Sequence, residues 1–111
     1  MDKQTYLNSI LYISDRVSDE ALFGQLAEEA VELAKAALKL QRAAMGEAAP
    51  DYDEDAACAN LIEEFADVCC CMDVVSGYEV FTLHSIMRDS ILMKLNRWVQ
   101  RITDREKADE N

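Results

Sequence analysis

Apolar residues recur along this chain at steps of three and four, the spacing that puts side chains on one face of a helix. Tyr6, Ile10 and Ile13 share a face of a first helix predicted over about residues 3–16. The polar break "SDRVSDE" follows. A second helix is predicted from near Asp19 to about Met45, with Leu22, Leu26, Leu33, Ala37 and Leu40 as its stripe, centred near Ala30, Leu33 and Ala37. "GEAAPDYDED" is the one convincing loop, and its acidic end suits a helix N-terminus. The third helix spans about residues 55–76, with Gly77 as its stop. Thr82 is the expected N-cap of a fourth helix that runs to about Lys107. Residues 104–111, "DREKADEN", are expected to fray. The pattern predicts an all-α, four-helix bundle-like domain.

Composition agrees. Half of the 111 residues are apolar, with only three Gly and one Pro. That is helix-former usage in a chain long enough for one domain, residues 1–111, and too short for two. A domain this small buries a modest share of its surface, so self-association adds stability. The formal net charge of −11 argues against nucleic acid as a partner, because phosphate backbones call for Lys/Arg stripes. Cys69, Cys70 and Cys71 are adjacent on a helix, about 100° apart, and cannot converge on one zinc. With Cys58 they read as reduced, small packing residues of a cytoplasmic protein. No leader pattern and no apolar run of membrane-spanning length is read, so no membrane partner is expected.

Two short acidic patterns change the picture. In "EEAVE", Glu29 lies at the edge of the second helix's stripe. Glu32 stands one turn on and about 60° around, and Gln25 falls between them in angle one turn earlier. In "EEFAD", Glu64 and Asp67 repeat the device, with Asn60 and Cys71 on their face one turn before and after. Asp67 heads an apolar run and is expected to be partly buried. Glu-rich helices are most often solvated faces, and "EEAVE" alone carries little. Two pairs at core edges, with no Lys or Arg four residues after Glu29, Glu64 or Asp67, are a different matter. Like charges at this spacing repel, and Mg²⁺ takes such carboxylates together with water and substrate phosphates. A di-iron centre would need Glu-x-x-His on two helices, which is absent here; the one histidine is His84.

The fourth helix supplies a basic counterpart. Lys94, Arg97 and Arg101 share a face in "KLNRWVQR" and could hold the phosphates of an anionic substrate, with Arg88 extending the patch. A solvated face or structural salt bridges explain the same spacing equally well. Trp98 could stack on a base or pack in a core or interface.

"EEAVE", a spacer of about thirty residues and "EFAD" resemble the Glu-Glu-x-x-Glu … Glu-x-x-Asp pattern of the MazG-like, all-α nucleotide pyrophosphohydrolases. "QLAEEAVELAKAALKLQR", "NLIEEFADV" and "KLNRW" extend the likeness over about residues 22–102. The linker "MGEAAPDYDEDAACAN" is longer than in the tightest members. The resemblance implies Mg²⁺-dependent hydrolysis of (d)NTP to (d)NMP and pyrophosphate, with Mn²⁺ as a substitute metal. It places metal binding on Glu29, Glu32, Glu64 and Asp67. Glu28 matches the first Glu of the pattern, and Glu28 or Glu32 would orient the water or take its proton. Lys94 and Arg97 match the phosphate-binding region, which Arg101 extends. Gln25, Asn60, Cys71 and Trp98 are the candidates for base or sugar contact. Assembly as a homodimer or homotetramer is implied as well. Two other classes stay open: a non-catalytic helical interaction protein, and a phosphotransfer module using His84.

Overall fold

The computed structural model describes residues 2–46 and 53–110. Its elements are α1 (Lys3–Ser14), α2 (Asp19–Ala44), α3 (Glu54–Ser76), a 3₁₀ turn (Gly77–Glu79) and α4 (Val80–Asp109). There is no strand among the described residues, so the chain is all-α. No described helix is long and apolar enough to cross a membrane.

Local chemistry sets the helix starts. The side chains of Asp2, Ser18 and Asp53 accept from the backbone N–H of Thr5 (2.7 Å), Ala21 (3.2 Å) and Ala56 (2.7 Å). Each satisfies an N–H that the first turn leaves unpaired. The bond from the Thr5 backbone also holds the Asp2 carboxyl below its ordinary pKa. At the other end of α3, Gly77 adopts φ +55°, a backbone that side-chain-bearing residues rarely adopt, and this stops the helix where expected.

The chain forms two compact units, residues 1–78 and 79–111. In the first, α3 packs along α2 and more lightly against α1. The inward row of α2 is Leu22, Leu26, Glu29, Leu33, Ala36 and Leu40, and that of α3 is Ala57, Leu61, Glu64, Val68, Cys71 and Val75; all are buried or half-buried. Both rows keep alternating steps of three and four, the seam of two helices packed at a shallow angle. Glu29 and Glu64 meet across it. Ala36, seven residues after Glu29, is 1% exposed, and Ala57, seven before Glu64, is 0% exposed. Both alanines are small residues fully enclosed in the same two inward rows.

Several expectations are corrected. Ala30 and Ala37 are exposed, and the seam passes through Glu29 and Ala36 instead. Alanine contributes little apolar area, so the leucines choose the face. Thr82 is not an N-cap: α4 begins at Val80, directly off the 3₁₀ turn, and Glu79 caps it without a side-chain bond. The helix also continues to Asp109 through most of the segment expected to fray, with Gln100 donating to Asp104 (2.8 Å) and the Thr103 hydroxyl donating to the Val99 carbonyl (2.9 Å). Cys58, Cys69 and Cys70 are exposed rather than packed, and only Cys71 is half-buried; all four are free thiols. Most of the expected loop lies outside the described residues, and its Glu54 and Asp55 already belong to α3.

Candidate metal centre

Three carboxylates converge in the α2–α3 seam. One oxygen each from Glu29, Glu64 and Asp67 lies within 4.8 Å of the other two. The heptad row puts Glu29 and Glu64 opposite each other, and the three-residue step from Glu64 turns Asp67 outward on the same side of α3. Glu29 and Glu64 are half-buried, but Asp67 is exposed, against the expectation of partial burial.

Glu64 feels the neighbouring acids most. Burial pushes the Glu64 carboxyl above its ordinary pKa, and the charges of Asp67, Glu29, Glu32 and Glu63 push it further the same way. Burial likewise raises the Cys71 thiol, followed by Cys70, Glu29 and Asp67. Cys71 therefore borders the acidic centre, as its spacing predicted, and stays a neutral thiol there. Gln25 Nε2 donates to Glu29 Oε1 at 2.7 Å and orients that carboxylate along α2. This gives Gln25 a role in holding Glu29. Asn60 is half-buried one turn before Glu64.

Two predicted acids stand apart from the cluster. Glu32 is exposed, and its carboxylate pairs with Lys35 Nζ at 3.4 Å. Its charge still reaches Glu64. Glu28 is exposed on α2. On α4, Lys94, Arg97 and Arg101 lie on one surface together with Trp98 and Gln100. The helical spacing of the three cations thus does gather them on one surface.

The donor set fits a hard divalent ion. All three side chains offer oxygen, two helices contribute, and one side is open to water and ligand, as Mg²⁺ requires. Exposed acidic groups also cluster without a metal, so the half-burial of Glu29 and Glu64 is what distinguishes this set.

Sequence reading overlooked Asp73. It is 8% exposed, on the face of α3 away from Glu64, where it lines a groove of about 400 Å³ with Tyr6, Ser9 and Ile10 of α1. An acid inside "CCCMDVV" was the available signal.

Comparison with known protein families, curated proteins and solved structures finds no match for this chain.

Proposed function

We propose that this protein is a Mg²⁺-dependent nucleoside triphosphate pyrophosphohydrolase, converting (d)NTP and water to (d)NMP and pyrophosphate in nucleotide-pool house-cleaning or control. The observation that carries the reading is the meeting of Glu29 with Glu64 and Asp67. The two halves of the acidic pattern, about thirty residues apart in sequence, come together within 4.8 Å on neighbouring helices. The reading includes a MazG-type, four-helix bundle-like single domain over residues 1–111, assembled as a homodimer or homotetramer in the cytoplasm.

Glu29, Glu64 and Asp67 would hold the metal, with Glu32 as a further ligand once released from Lys35. Mg²⁺, or Mn²⁺ in its place, supplies a lowered pKa for bound water and neutralises phosphate charge. The chain's own groups do the rest. Water attacks the α-phosphorus, the bond from that phosphorus to its bridging oxygen breaks, and pyrophosphate leaves. Glu28 or Glu32 orients the attacking water and accepts its proton. Lys94, Arg97 and Arg101 bind phosphate oxygens, and Gln25, Asn60, Cys71 and Trp98 are the candidates for base and sugar contact.

The test is turnover of a panel of NTPs and dNTPs with Mg²⁺, assaying pyrophosphate and orthophosphate separately. Pyrophosphate release is expected. It should vanish with EDTA and fall at least about a hundredfold in Glu64→Ala and Asp67→Ala. Near-normal turnover of either variant at saturating Mg²⁺ would remove the site assignment. No release from any nucleotide would favour the interaction-protein reading.

A further inference from the structure

Two carboxylates of α2 are held by partners of different charge. Gln25 stands one turn before Glu29, and its Nε2 donates to Glu29 Oε1 at 2.7 Å. Glu32 instead pairs with the Lys35 ammonium at 3.4 Å. The two partners have opposite consequences for a cation. An ammonium offsets the carboxylate's charge and has to leave before a metal can take that place. A neutral amide fixes the carboxylate's orientation and leaves its full negative charge to the metal.

The location of Glu29 adds weight to this bond. Glu29 is half-buried in the α2–α3 seam, so part of its water is gone. The Gln25 amide replaces one of the hydrogen bonds lost with it. A glutamate side chain is also long, and an ion that binds it must otherwise freeze its rotamers. With the Gln25 bond in place, one Glu29 oxygen already lies within 4.8 Å of oxygens of Glu64 and Asp67. Gln25 itself is exposed, so removing its amide opens no cavity in the core.

We propose that Gln25 is a positioning residue for the metal centre: it presets Glu29 against Glu64 and Asp67, and its contribution is to metal affinity rather than to contact with base or sugar. This role presupposes the metal reading proposed above and deepens it, because it names what orders one ligand before the ion arrives. Hydrogen-bond partners of metal ligands typically change affinity about ten- to a hundredfold when removed. An exposed amide belongs at the lower end of that range.

The experiment titrates Mn²⁺ alone into the full chain, without nucleotide, and follows free Mn²⁺ by electron paramagnetic resonance. Gln25→Met keeps the length of the side chain and loses the donor. It should bind Mn²⁺ about tenfold more weakly with unchanged helical circular dichroism. Glu29→Asp keeps a carboxylate but draws it back from the amide. Adding Gln25→Met to Glu29→Asp should then cost less than about twofold, as expected for a residue that acts through Glu29. Unchanged Mn²⁺ affinity in Gln25→Met overturns the proposal and leaves the metal centre standing; a raised nucleotide KM in that variant would make Gln25 a substrate contact instead. Equal losses in the wild-type and Glu29→Asp backgrounds also overturn it, because Gln25 would then act without Glu29. A wild-type chain that binds no Mn²⁺ removes the metal centre and this role together. Should Gln25→Met lose helicity, Gln25→Ala takes its place in the same comparison.

Discussion

Glu64 is the residue where stability and the proposed function oppose each other. Its carboxyl titrates above its ordinary value near 4.5, first because it is desolvated and then because four acids surround it. The folded state thus binds this proton more tightly than the unfolded state. The associated stability is fully present below pH 4.5 and is lost as pH rises through the elevated folded value. Glu64→Gln removes that titration. In EDTA at neutral pH the variant should melt above wild type, and its pH–stability curve should lack this loss. With Mg²⁺ added, the order should reverse, because the variant gives up a ligand. A variant that melts no higher than wild type in EDTA would mean that the acidic cluster is relaxed without a cation. Within each helix the three-residue spacing of Glu29 with Glu32 and of Glu64 with Asp67 was legible in the sequence. Glu32 was not among the acids whose i+4 neighbours were read, and its partner Lys35 sits at i+3.

At the scale of elements, the α2–α3 seam determines where the carboxylates stand. Ala36 and Ala57 are fully enclosed in the inward rows, and Glu29 and Glu64 lie one heptad away from them. Ala57→Leu should force the helices apart there, costing about 1–3 kcal/mol in denaturant unfolding. It should also weaken Mg²⁺ binding, although it touches no carboxylate. Full Mg²⁺ affinity in a destabilised Ala57→Leu protein would show that the cluster does not depend on seam spacing. The helices themselves, the stop at Gly77 and the acidic start of α3 were readable from periodicity and end chemistry. The start of α4 was not. Thr82 has the chemistry of a cap, but the 3₁₀ turn Gly77–Glu79 feeds the chain into α4 three residues earlier, with Glu79 in the cap position.

For the whole molecule, a divalent ion that binds only the folded state must raise its stability by mass action. At a hundred times its dissociation constant Mg²⁺ should add about 2.7 kcal/mol. The expected observation is a Tm that climbs with Mg²⁺ in wild type and stays flat in Asp67→Ala. A flat wild-type response would leave the acidic pairs as surface. The sequence by itself determined the all-α class, the two acidic half-motifs and the cationic face of α4, because helical periodicity and i,i+3 spacing are local properties of one segment. Tertiary structure decided the rest. Only the α2–α3 register could turn Glu29 from the edge of a stripe into a seam residue, bring it to Glu64 and Asp67, and leave Asp67 in solvent. Burial is a property of two surfaces in contact, and a single helix's sequence specifies only one of them.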